Sequence, residues 1–153
     1  MKKDFWVLFL PLLLFLFGGC GGGVPVQKTE MVEGVITLDG VPLDGASVTF
    51  NPVGGDGTIA SGFTDAQGRF TIQTLRGNPE GGTTVGEYVV TVSKWEDFPT
   101  GRTEQVDSET TIPIMGQRLL VHANYENEQR SPLRATVAPG KNTFNFDLKR
   151  DGT

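Results

Sequence analysis

From Glu33 onward, apolar and polar residues alternate with a period of two over short stretches, and each stretch ends at a glycine, a proline or both. The first two lie in Glu33 to Pro52, EGVITLDGVPLDGASVTFNP. Gly34, Ile36 and Leu38 fall on one face of a strand, and Ala46, Val48 and Phe50 on one face of the next, as half-buried strands require. Between them, the glycines of Asp39 to Gly45 can take positive φ, and Pro42 has no amide proton to give to a ladder. The spacing therefore predicts two short strands joined by a Gly-Pro turn.

Asn51-Pro52 closes the second strand and opens a glycine-rich loop. Ile59 to Thr64 predicts a third strand, Asp65 to Gly68 a hairpin turn with Gly68 in its left-handed position, and Arg69 to Thr74 a strand with Phe70 and Ile72 facing the core. After a polar, glycine-rich stretch, Val85 to Ser93 is the strongest strand in the chain. Tyr88, Val90 and Val92 share one face and Val89, Thr91 and Ser93 the other, so a central position in a sheet is expected. From Lys94 to about Ser131 the alternation disappears, broken by Pro99, Gly101, Pro113 and Gly116. This reads as an irregular insert, and long loops of that kind are often either functional or disordered. Leu133 to Val137 and Thr143 to Leu148 then form two closing strands around Pro139-Gly140, with Phe144, Phe146 and Leu148 on one face and Asn145 and Asp147 on the other. Seven strands without a convincing helix predict an all-β fold, a β-sandwich.

Composition sharpens this picture. Twenty-one glycines in 153 residues are about twice the roughly 7% of an average protein, which suits many tight turns. The formal charge is −5, and an acidic surface argues against nucleic acid, whose binding relies on Lys and Arg neutralising phosphates. One cysteine, Cys20, allows no intrachain disulfide and no all-cysteine metal site.

The position of Cys20 suggests another use. Lys2 and Lys3 precede an uncharged apolar run, Phe5 to Phe17, and Gly18-Gly19-Cys20 follows. A basic start, a short apolar middle and a small-residue exit are the parts of a secretory signal, and the run is shorter than the roughly 20 residues of a spanning helix. Gly18, Gly19 and Cys20 resemble a bacterial lipobox, with Phe17 where leucine is more usual. The resemblance implies a signal peptide over residues 1–19 and acylation of Cys20; several acyl chains anchor stably, whereas one binds only marginally. Residues 20–31, opening Gly21-Gly22-Gly23, read as a flexible tether. Gly21, in place of the Asp that favours inner-membrane retention, implies the outer membrane or cell surface.

Val32 to Ile36 (V-x-G-x-I), Gly40 to Val48 (G-x-P-L-x-G-A-x-V), Thr64 to Phe70 (T-D-x-x-G-x-F) and Gly86 to Val92 (G-x-Y-x-V-x-V) together resemble the carboxypeptidase regulatory-like domain. The closing segment from Ser131 to Leu148 is similar to the end of small bacterial lipoproteins built from this domain alone. The resemblance covers residues 32–149 apart from the insert at about 94–131, and implies a seven-stranded Greek-key β-sandwich of the transthyretin-like, prealbumin type.

Transthyretin-related hydrolases of 5-hydroxyisourate share that fold but use several histidines, an arginine and a Y-R-G-S tail. This chain has one histidine, His122, and ends Lys149-Arg150-Asp151-Gly152-Thr153. No catalytic motif surrounds His122, no zinc ligand set can be assembled, and Asp65 alone falls short of a calcium site. Glu96 with Asp97 and Glu126 with Glu128 read as solvated loop charges. A Lys-Asn isopeptide, as in related adhesin domains, would need Lys94 or Lys141 with Asn142 or Asn145. The expected protein is therefore a non-enzymatic, lipid-anchored envelope protein without cofactor or metal, in contact with the membrane through Cys20 and with a protein or polysaccharide partner. A carbohydrate-binding module using loop aromatics is the alternative, and Trp95, Phe98 and Tyr125 are the candidate contact residues, because aromatic side chains on loops give large contact area at low entropic cost.

Overall fold

Two four-stranded sheets bury one face each against a shared core, and a two-stranded arm stands apart from them. The computed structural model describes residues 28–55, 57–74 and 81–152. The expected signal peptide, Cys20 and the first part of the expected tether lie outside the described residues.

The first sheet is built around β1, Val32–Leu38. The C-terminal strand β10, Asn142–Leu148, runs parallel to it from Val32 opposite Asn142 to Leu38 opposite Leu148. The other edge of β1 is shared by two short antiparallel strands. These are β2, Val41–Pro42, beside Thr37 and Leu38, and β5, Arg69–Thr71, beside Glu33 to Val35. The second sheet is antiparallel throughout, in the order β4-β3-β6-β9, with β3 spanning Ser47–Pro52, β4 Ala60–Phe63, β6 Gly86–Ser93 and β9 Arg134–Val137. β6 sits between two partners, as its apolar, β-branched composition predicts. The described residues are all-β apart from a single helical turn, α1, Ala123–Glu126.

The first two sequence-read strands, β1 and β3, lie in different sheets. Each has one apolar face, and burying both from opposite sides of one core removes more apolar surface from water than pairing edge to edge. Asp39-Gly40, at φ 52° and 78°, makes the tight turn into β2, and positive φ at both central residues is what a two-residue type I′ hairpin turn requires. The chain then crosses between layers. A buried threonine pins the crossing: the Thr64 hydroxyl donates to the Leu43 carbonyl at 2.6 Å and accepts the Ala46 amide at 2.8 Å.

Phe50 occupies the middle of the core, its ring centroid 6.2 Å from Phe70, 5.9 Å from Tyr88 and 5.8 Å from Phe144. Both sheets thus meet on one aromatic cluster. Each large side chain buried there contributes on the order of 1.5–3 kcal/mol. Gly34 is required in mid-strand, because a Cβ at that position would run into the Phe144 carbonyl. The buried Tyr88 hydroxyl donates to the Thr84 carbonyl at 2.8 Å and lies within hydrogen-bond distance of the hydroxyls of Thr83 and Thr84, at 3.1 and 2.8 Å.

The segment expected to be an irregular insert over residues 94–131 is ordered. β7, Trp95–Gln105, and β8, Thr111–Leu119, pair antiparallel from Trp95 opposite Leu119 to Gln105 opposite Thr111, with a register shift between Pro99 and Thr103. Nearly every residue of this arm is exposed. A ribbon wetted on both faces has no buried side to impose an apolar–polar period, and Pro99, Gly101 and Pro113 are absorbed at the irregularity. Leu119 and Val121 then return to the core.

Candidate functional site

At the root of the arm, Trp95 follows the end of β6 by two residues and opens β7. Its indole N–H donates to Glu126 Oε1 at 3.3 Å, which orients a ring that is still 49% exposed. Glu126 is delivered by α1, whose Tyr125 plugs into the core. Next to this pair lies the outer face of the second sheet. Register places Ser47 opposite Ser93 and Thr49 opposite Thr91 across β3 and β6, and the core residues Val48, Phe50 and Val92 alternate with them, so the four hydroxyl-bearing residues face outward. Together with Glu126 they line a pocket of about 30 Å³, room for about one water molecule or one hydroxyl group. Thr91 Oγ1 accepts from Asn51 Nδ2 at 3.2 Å. The hydroxyls of Ser47, Thr49 and Ser93 have no partner among the described residues. On the far side of Ser47 stands Phe63 of β4, 74% exposed.

The sequence-read contact residues are dispersed. Cys20 lies outside the described residues. Phe98 is on the arm, with the Arg118 guanidinium 5.9 Å above its ring and Arg118 in turn bonded to Glu96 at 2.8 and 2.5 Å. Strand alternation and register put Phe98 on the same arm face as the exposed Ile112 and Ile114, with Trp95 on the opposite face. Tyr125 is a correction: it is 1% exposed, and its hydroxyl accepts the Lys149 amide at 2.9 Å. The single turn of α1 aims it inward, where burying a large ring outweighs displaying it.

The remaining candidates are occupied structurally. His122 caps α1, its Nδ1 accepting the Asn124 amide at 3.2 Å. Asp97 accepts from Gln117 at 3.0 Å. Lys141 pairs with Glu33 at 2.8 Å, while the Asn142 side chain bonds Ala138 and Gly140 across the β9–β10 turn. Asp65 Oδ1 accepts the amides of Gln67 and Arg69, the ordinary work of an Asp-led turn. Among the described residues, no cluster of three His, Cys, Asp or Glu side chains could hold a metal ion.

Ser47, Thr49, Thr91, Ser93 and Phe63 were not singled out from the sequence, and Glu126 was read there as a solvated loop charge. Phe63 alone carried a readable signal, since it is in phase with polar Ser61 and out of phase with Ala60, which is buried. No helix among the described residues is long and apolar enough to cross a membrane. No family model, no curated protein and no solved structure matches the chain.

Proposed function

We propose that this is a non-enzymatic, lipid-anchored protein of the bacterial cell envelope, a contact module displayed on a glycine tether at the outer membrane. The observation that carries the contact role is the arm. Among the described residues β7 and β8 pair with each other and with no further strand, and they expose Phe98, Ile112, Ile114 and Met115 to solvent. An isolated two-stranded ribbon is marginal in water, and exposed apolar side chains gathered on one element mark a surface that meets something else. The anchor rests on the basic start, the apolar run and Gly18-Gly19-Cys20.

The body is read as a seven-stranded Greek-key sandwich of the transthyretin-like, carboxypeptidase regulatory-like type. Two four-stranded sheets around one core support this, as do the seven sequence-read strands, which correspond to β1, β3, β4, β5, β6, β9 and β10. Mass spectrometry of the protein purified from native envelopes tests the anchor: a diacylglyceryl-modified, N-acylated Cys20 at the new N-terminus is expected, and an unmodified Cys20 or cleavage elsewhere refutes it. Crosslinked capture from intact envelopes tests the contact role. Shortening the arm to its Glu96–Arg118 base should abolish capture, and undiminished capture would count against it.

A further inference from the structure

We infer that the outer face of the β4-β3-β6 sheet, between Phe63 and Trp95, is a glycan subsite for a neutral, flat, β-1,4-linked pyranose chain. This rests on reading the protein as a contact module, and it locates a second contact surface away from the arm tip.

Three features of the face select the chemistry. β3 is paired on both sides, by β4 and β6, and β6 on both sides, by β3 and β9. Over Ser47 to Phe50 both edges of β3 are taken, so recognition on that strand must come from side chains. Those side chains are hydroxyls with one carboxylate and no cation at the pocket, which disfavours phosphate or any other anion and suits the mixed donors and acceptors of sugar hydroxyls. Finally, two aromatic rings flank the hydroxyl floor. Phe63, Ser47 and Ser93 form one row across three strands, so Phe63 and the β6 edge of the floor stand about two strand spacings apart, ~10 Å, roughly the span of a disaccharide. Trp95 lies two residues beyond Ser93 along the chain, just past the end of β6.

The C–H face of a pyranose ring is apolar and lies flat on an aromatic ring, while its equatorial hydroxyls point outward from the rim. A β-1,4-linked chain is a ribbon with such faces, and it can rest on Phe63 and Trp95 together. One hydroxyl of the intervening ring would then enter the 30 Å³ pocket, displacing a water and bonding Thr49, Ser93 and Glu126 in its place. The Glu126 bond to the indole holds the Trp95 platform in position, so little ordering is lost on binding.

The test is calorimetry of the full-length protein in detergent with chitotetraose and with cellotetraose, using α-1,4-linked maltotetraose as the curved control. Saturable binding of at least one β-linked tetraose is expected, with maltotetraose weaker. Trp95→Ala and Phe63→Ala should each weaken it several-fold to about tenfold, and Thr49→Val, which removes a hydroxyl at constant shape, several-fold. Phe63 and Thr49 lie outside the core, so these two variants carry the test if Trp95→Ala proves unstable. Absence of saturable binding by both β-linked tetraoses overturns the inference, as does binding that all stable variants leave unchanged. If capture from envelopes persists while tetraose binding is absent, the contact-module reading stands and the glycan subsite falls.

Discussion

The buried hydroxyl of Thr64 donates to the carbonyl of Leu43 at 2.6 Å, joining the end of β4 to the crossover that carries the chain from β2 to β3. The same oxygen accepts the Ala46 amide, and the Thr64 backbone exchanges further bonds with Gly45 and Ala46. Thr64→Val keeps the shape and leaves a buried carbonyl and amide without that partner. It should cost about 1–3 kcal/mol in urea unfolding, with Thr64→Ser much closer to wild type. Equal stability of the valine variant would show that the crossover does not depend on this residue.

Tyr88→Phe removes the hydroxyl at the centre of the Thr83–Thr84 cluster while keeping the ring that packs on Phe50. A loss of about 1–3 kcal/mol is expected from the groups left unpaired. A smaller loss would mean that Thr83 and Thr84 satisfy one another once the tyrosine is gone.

Gly34→Ala is expected to act through sterics alone. The added methyl would collide with the Phe144 carbonyl and the Phe70 ring, forcing β1 and β10 apart. Overpacking of this kind costs about 1–3 kcal/mol, more where backbone must move, and thermal unfolding should show a clear drop in Tm. By contrast, Gly55→Ala, at a loop position with open space around it, should leave Tm nearly unchanged.

Asp147 makes stability fall in acid. Its carboxylate pairs with Lys149 and accepts the Thr37 hydroxyl and the Gly40 amide, which together lower its pKa to about 2. A carboxyl whose folded value lies below the unfolded value of about 3.9 stabilises the fold above that value, and the contribution is lost as pH falls towards 2. Lys149 shows the converse, its pKa raised first by the bond to Asp147, so its contribution is lost only at alkaline pH. In a Tm series from pH 5 to pH 2, Asp147→Asn should flatten part of the acid decline; an unchanged slope would remove Asp147 from the account.

The arm should open locally without unfolding the body. Its residues are exposed along both strands, so hydrogen exchange is expected to be faster in β7 and β8 than in β1, β3 or β6. Limited proteolysis should cut first between Gln105 and Thr111. Protection of the arm equal to that of β6 would mean that it is already covered in the free protein.

How much was legible follows from what each residue buries. Val48 with Phe50, and Tyr88 with Val90 and Val92, announce strands because water is on one side of them and the core on the other. Phe144 and Phe146 declare their face for the same reason, though not that β10 runs parallel to β1. The arm was illegible because both of its faces are wet, and Tyr125 was misjudged because its short helical turn has too few residues to show a period. At the glycan face, Trp95 stood out by type. Ser47, Thr49, Thr91 and Ser93 read only as the outward halves of their strands.

The one-dimensional order of side chains determined that this is a β protein, which faces of the sandwich strands turn to the core, where the turns between those strands fall, and that the candidate anchor is Cys20. Those are local matters, decided by alternation, by backbone freedom at glycine and proline, and by the short apolar run before a small-residue junction. Only the tertiary structure decided that β1 and β3 belong to opposite layers, that β7 and β8 project as an arm, and that Glu126 reaches Trp95 beside hydroxyls from two strands. These depend on register and on which surfaces exclude water together, and contacts between residues dozens of positions apart leave no imprint on the spacing of either one.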